Sequence, residues 1–82
     1  MRQEFAALRE AVESRQTRVY RDGFGYVFAG RTRAVKAGIK ALGGRWNGSV
    51  WEVPASAVRQ DPVAAGELAV LEVITARASR ER

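Results

Sequence analysis

The sequence predicts an α+β fold in which two β-hairpins form a small antiparallel sheet and flank one central helix, in the order ββαββ. The stretches TRVYRDGFGYVF and GGRWNGSVWEV each place apolar residues around an Asp-Gly or Asn-Gly pair. These pairs are favoured two-residue hairpin loops because glycine tolerates positive φ. Between them, TRAVKAGIKALGG has apolar residues at helical spacing. Helices at both ends of the chain are expected to complete the core.

The N-terminal segment is predicted to be a helix over residues 3–14, within a terminal region of 1–16. Phe5, Leu8 and Val12 recur at intervals of three and four. This spacing places side chains on one face of a helix, so we expect that face to contribute to the core.

The first hairpin is predicted to turn at Asp22 and Gly23, which places Val19 opposite Tyr26. Successive side chains of a strand point to opposite faces of the sheet. The face expected in the core carries Val19, Phe24, Tyr26 and Phe28, and the outer face carries Arg18, Tyr20 and Val27.

The central helix is predicted to begin at the capping residue Thr32 and to end at Gly43 and Gly44. Its sequence is amphipathic. One side carries Val35, Ile39 and Leu42, and the opposite side carries Arg33, Lys36 and Lys40.

The second hairpin contains both tryptophans of the chain. A two-residue loop at Asn47-Gly48 pairs Trp46 with Ser49, whereas a four-residue loop pairs Trp46 with Trp51. Either loop puts both indoles on one face of the sheet, and we interpret both as core residues because burying them contributes several kcal/mol at ~25 cal/mol per Å². The alternative is that the indoles face a ligand and stack on it. The predicted structural core is Trp46, Trp51, Val35, Ile39, Leu42, Tyr26 and Phe28.

After Pro54 the sequence predicts a loop over residues 55–60 and then a terminal helix over 61–79. Asp61-Pro62 provides a cap and a first-turn proline. The inward-facing residues of this helix are predicted to be Val63, Leu68, Val70, Leu71 and Ile74.

Positive charge is concentrated in the middle of the chain. The 82 residues, enough for one small basic domain over 1–82, carry a net charge of +5. Residues 15–45 hold eight basic residues and one acid, which is +7, and the remaining residues sum to −2. This asymmetry indicates a polyanionic partner. The alternative is a solvated surface that keeps the protein in solution.

Several classes of function are disfavoured by composition. The chain has neither Cys nor His, which removes thiolate ligands, the commonest metal ligand and the usual general base. The acids are scattered, so we expect no enzyme activity, no metal and no cofactor. No apolar run is long enough to span a bilayer, and we expect a cytoplasmic protein with no membrane partner and no small-molecule substrate.

The basic face of the central helix predicts a surface for nucleic acid, because Lys and Arg neutralise phosphates. The outer sheet face adds Arg45 and Tyr20. The Tyr20 ring either stacks on a base, covers Gly25 across the hairpin or is itself covered by a terminal helix. The predicted contacts are Arg33, Lys36, Lys40 and Arg45, with Arg31, Arg18 and Tyr20 as secondary ones.

Residues 27–54, VFAGRTRAVKAGIKALGGRWNGSVWEVP, resemble a short module of plasmid- and phage-borne proteins of DNA metabolism. The pattern of that module is an aromatic strand, Gly and Thr, then VKxxIKxLGGRW and WxVP. It is distantly similar to the HARP-type modules of annealing helicases, which engage DNA. The resemblance implies a βαββ core, with Lys36, Lys40, Arg45, Trp46 and Trp51 at matching positions. The loop between the tryptophans is shorter here than is usual for the module.

The resemblance, the size and the charge support two hypotheses of function. The first is non-enzymatic binding to nucleic acid or to a nucleoprotein effector complex. The alternative is a phage or mobile-element inhibitor of a host defence complex, of the anti-CRISPR type, that blocks nucleic-acid binding through protein contacts. We expect a monomer or a small homo-oligomer in either case.

Overall fold

The computed structural model describes residues 2–23 and 25–80. In chain order, its elements are α1 (Gln3–Glu13), β1 (Thr17–Asp22), β2 (Gly25–Gly30), a 3-10 turn (Arg33–Val35), α2 (Lys36–Ala41), β3 (Arg45–Trp46), β4 (Trp51–Val53), α3 (Ala55–Gln60) and α4 (Pro62–Arg80).

The predicted α+β class is confirmed, with four antiparallel strands and four helices in the described residues. The expected ββαββ arrangement is not confirmed, because the strand order is β1-β2-β4-β3. The segment that contains α2 connects β2 to β3, which lies at the sheet edge opposite β1, and leaves the position beside β2 to β4. The sheet edges are therefore β1 and β3, and β4 lies beside β2.

α3 forms where the sequence predicts a loop. Pro54 has extended backbone angles, and its carbonyl oxygen accepts hydrogen bonds from the backbone N–H groups of Ala57 and Val58 at 3.1 and 3.2 Å. The side chains of Ala57 and Val58 pack against the core. The prediction failed because six residues are too few to show a helical period, and tertiary packing supports this short helix.

The first hairpin differs from the predicted register by two residues. Asp22 pairs with Gly25 and Val19 with Phe28, so Asp22 belongs to β1 and not to the loop. A shift of two residues keeps every side chain on its face. Val19, Tyr26 and Phe28 are accordingly buried, as predicted. Phe24, also predicted on this face, lies outside the described residues.

The second hairpin has the four-residue loop, with Trp46 opposite Trp51. The two-residue alternative is wrong because the Asn47 side chain organises a wider turn. Its Oδ1 atom accepts hydrogen bonds from the backbone N–H groups of Ser49 and Val50, both at 2.9 Å. Its Nδ2 atom donates to Glu52 Oε1 at 2.7 Å.

The central helical segment ends where predicted but begins differently. Gly43 has φ of +90°, and the N–H groups of Gly43 and Gly44 donate to the carbonyls of Lys40 and Ile39, both at 2.9 Å. These bonds form a Schellman ending. At the start, the Thr32 side chain makes no capping bond, and the first turn is 3-10.

The core forms one cluster between the inner face of the sheet and the helices. Six of the seven predicted core residues are buried: Trp51, Val35, Ile39, Leu42, Tyr26 and Phe28. The assignment of Trp46 to the core is wrong, since 54% of its surface is exposed. Trp46 does share the inner face with Trp51, but β3 is the outermost strand and has a sheet neighbour on one side only.

α4 begins as predicted, with the Ala64 N–H donating to Asp61 Oδ1 at 3.1 Å. Its buried stripe is Ala64, Leu68, Leu71 and Thr75, with Ile74 partly buried. Val63 and Val70 were predicted to face inward and are exposed. The helix is instead turned toward β1, where Thr75 Oγ1 accepts a hydrogen bond from the Val19 N–H at 3.0 Å. This rotation buries Leu68 and Leu71 and brings Thr75 to the sheet edge.

Candidate nucleic-acid interface

The four basic residues predicted as main contacts line one groove together with both tryptophans. The groove lies between the helical segment and the β3-β4 hairpin and has a volume of about 600 Å³. Its lining consists of Thr32, Arg33, Lys36, Lys40, Gly44, Arg45, Trp46 and Trp51, which we call the cationic groove. None of these eight described residues is acidic.

Trp51 is the fixed part of the groove. It is 8% exposed, and its Nε1–H donates to Thr32 Oγ1 at 3.1 Å. The Thr32 hydroxyl, predicted to cap the helix, therefore orients an indole instead. Lys40 Nζ lies 5.9 Å from the centroid of the Trp51 ring, at the outer limit of a cation–π contact. These contacts leave little freedom to the ring.

Trp46 is the open part of the groove. Its ring centroid lies 5.6 Å from that of Trp51, with an angle of 57° between the ring planes. This tilted arrangement is one that aromatic pairs favour. The prediction missed the exposure of Trp46 because strand alternation specifies the face of a sheet and not the distance from its edge. The edge position of β3 follows from the strand order β1-β2-β4-β3, which no local pattern around Trp46 encodes.

The basic side chains around the groove are all exposed to solvent. Within residues 2–23 and 25–80, no salt bridge involves Arg33, Lys36, Lys40 or Arg45. Lys36 and Lys40 are four residues apart and therefore neighbours on the helix surface. Like charges at this spacing repel one another, and together they create a positive potential that an anion would relieve.

Arg45 occupies the rim of the cationic groove. It is opposite Glu52 in the β3-β4 ladder, on the side of the sheet away from Trp46. Arg45 also lines a second depression that contains Asp22 and Glu52. Of the four cations it is thus the one nearest to acidic side chains, although Glu52 is engaged by Asn47.

The three predicted secondary contacts are not among the residues lining the cationic groove. Tyr20 is 44% exposed on the outer sheet face and pairs with Val27, so the interpretation that it covers Gly25 as its cross-strand partner is wrong. Arg18 lines a separate depression near Thr75. Arg31 is exposed, and its backbone N–H donates to the Gln16 carbonyl at 2.7 Å.

Two kinds of feature are absent from the residues that the structure describes. Across 2–23 and 25–80, no three acidic side chains come together in a way that would hold a metal ion. None of the helices in these ranges has the length and apolar character needed to cross a bilayer.

Neither a family model, nor a curated protein, nor a solved structure matches this chain. The resemblance of residues 27–54 to a module of DNA metabolism therefore stays a prediction.

Proposed function

We propose that the protein binds nucleic acid through the cationic groove, without catalysing a reaction. The observation that carries the proposal is the grouping of four exposed cations and one exposed indole around a groove whose described lining has no carboxylate. Phosphate groups would be attracted to this surface, and a large aromatic ring offers contact area to a base or sugar.

The expected mode of binding is electrostatic attraction with release of counterions. A protein that neutralises Z phosphates shows a log–log slope of affinity against salt of about −0.9Z for duplex DNA and about −0.7Z for single strands. Four groove cations then correspond to a slope of about −3.6 or about −2.8 respectively. The slope therefore measures how many of these side chains contact phosphate.

The test is a salt titration of oligonucleotide binding with a charge-reversed variant, Lys36→Glu with Lys40→Glu. We expect this variant to fold normally, because both side chains are exposed and without salt bridges in the described part of the chain, and to lose binding. The matched control is Arg59→Glu with Arg77→Glu, which changes the net charge equally. Arg59 and Arg77 are exposed and lie on α3 and α4, away from the groove lining.

Loss of binding in the groove variant and retention in the control would support the proposal. Equal weakening in both variants would contradict it, because attraction would then depend on net charge alone. The absence of any binding by the parent protein at low salt would also contradict it.

A further inference from the structure

We infer that the cationic groove takes a single strand and stacks one of its bases on the exposed indole of Trp46. This inference rests on the proposed function and adds the class of nucleic acid. It depends on the different roles of the two tryptophans, which the sequence places only five positions apart.

The Trp51 indole is committed to the fold, because its N–H is bonded to Thr32 and its ring is 8% exposed. It supports Trp46 from one side, with the ring centroids 5.6 Å apart. Trp46 is therefore backed by protein yet remains 54% exposed. An indole supported in this way is a preformed stacking platform, because little conformational freedom remains to be lost on binding.

Three of the four cations line the groove from its helical segment, beside the two indoles. Lys40 lies above the ring of Trp51, next to Trp46, whereas Arg45 leaves β3 on the other side of the sheet and reaches the groove only at its rim. Arg33 and Lys36 continue the same lining. A strand with one base on Trp46 can thus place backbone phosphates among these side chains.

A duplex would use this arrangement poorly. Its bases are stacked on one another, so their faces are closed to a protein ring until a base is displaced. Unpaired bases have free faces, and aromatic stacking on them is common in proteins that bind single strands. A groove built only for duplex phosphates would gain nothing from an exposed indole in its lining.

The test separates base stacking from phosphate attraction. Binding of two oligonucleotides of equal length is measured at one salt concentration. One consists of about 12 thymidine nucleotides, a length within known site sizes, and the other is abasic. The abasic probe keeps every phosphate. Stacking is worth about 1–3 kcal/mol per base, so the parent should bind the thymidine probe about 5- to 150-fold more tightly. A matching uridine probe distinguishes RNA from DNA.

Two variants of Trp46 complete the experiment. Trp46→Leu keeps an apolar group against Trp51 but cannot stack, so it should bind both probes equally and with the abasic affinity of the parent. Trp46→Phe should recover part of the preference. Circular dichroism and thermal melting establish that both variants fold. Quenching of Trp46 fluorescence by the thymidine probe, but not by the abasic probe, gives a second readout.

The inference would be overturned if the parent bound both probes equally with a steep salt slope, or if Trp46→Leu kept the preference. Either result leaves the proposed electrostatic function standing. If neither probe nor a duplex bound at low salt, the proposed function itself would be wrong.

Discussion

The arginines that join the α1 region to the start of α4, which we call the helical side, and the cations of the groove have the same charge in different surroundings. On the helical side, Arg9 donates to both oxygens of Glu67, at 2.5 and 3.0 Å. Arg2 bridges Glu4 and Asp61, each at 2.7 Å. In the groove, Lys36 and its basic neighbours form no such pair within the described ranges. Position of the acids, more than the net charge of +5, determines where this molecule is positive.

The two tryptophans differ in the same way. Trp51 has its polar atom bonded and its ring enclosed, whereas Trp46 is half exposed. On the helical side, the charged groups form salt bridges within the protein. In the cationic groove, the described cations form no salt bridge, and about half of the Trp46 surface is exposed to solvent. The following predictions test this contrast, from the largest expected effect to the smallest.

The largest effect is expected for Trp51→Ala. Truncating a buried large aromatic costs about 3–5 kcal/mol of unfolding free energy, and Thr32 would lose its bonded partner as well. Trp46→Ala should cost about 1 kcal/mol or less, as surface changes usually do. Chemical denaturation of both variants measures the difference. Equal losses would show that Trp46 is a core residue after all.

A smaller loss of stability is expected for Arg9→Met. The Glu67 side chain is only 10% exposed, so removing its partner leaves a largely buried carboxylate. Lys36→Met, which removes an exposed charge from the groove, should leave the melting temperature almost unchanged. Thermal melts of the two variants at the same salt concentration make the comparison. A larger decrease in melting temperature for Lys36→Met than for Arg9→Met would contradict the conclusion that Arg9 is paired within the protein and that Lys36 is not.

The free energy of unfolding is expected to fall in acid, because Arg2 pairs with the carboxylates of Glu4 and Asp61. Hydrogen bonds from Arg2 and then from the Ala64 backbone lower the pKa of Asp61. The pKa of Glu4 is lowered by its own backbone N–H and then by Arg2. A carboxyl group whose pKa is lowered by folding stabilises the fold at pH values above its pKa in the unfolded chain, about 3.9 for Asp and about 4.3 for Glu. This stabilisation is lost as the pH falls through the pKa of the group in the folded protein.

The corresponding measurement is the denaturation midpoint between about pH 6 and pH 2, a range that spans these values. Arg2→Met should flatten the acid decrease, because Arg2 bonds to both carboxylates. An unchanged profile in this variant would show that other groups cause the decrease.

The smallest effect is expected for Lys36→Met with Lys40→Met. Like charges four residues apart on a helix are destabilising by about 0.2–0.5 kcal/mol, so removing them should raise stability slightly at low salt. The gain should vanish at high salt because of screening. Each phosphate-contacting lysine that is removed should also lower the salt slope of nucleic-acid binding by about 1. A loss of stability would show that the contact between Lys40 and the Trp51 ring outweighs the repulsion between the two lysines.

The local patterns of the sequence determined the α+β class, the Gly43 ending of the central helix and the Asp61 cap. They also placed Arg33, Lys36 and Lys40 on the side of the helix opposite its buried stripe. These features follow from interactions within a few residues, such as strand alternation, helical spacing and the conformational freedom of glycine. The same local patterns kept the faces of the first hairpin correct although its register was two residues off.

Only the tertiary structure decided the order of the strands, the rotation of α4 and the exposure of Trp46. The register of the first hairpin and the helix at Ala55–Gln60 likewise depend on contacts between distant parts of the chain. Strand alternation assigns a side chain to a face of the sheet, but the number of neighbours on that face depends on which strand lies at the edge. The β1-β2-β4-β3 order puts Trp46 at that edge. One indole therefore completes the core, and the other remains beside the cations of the groove.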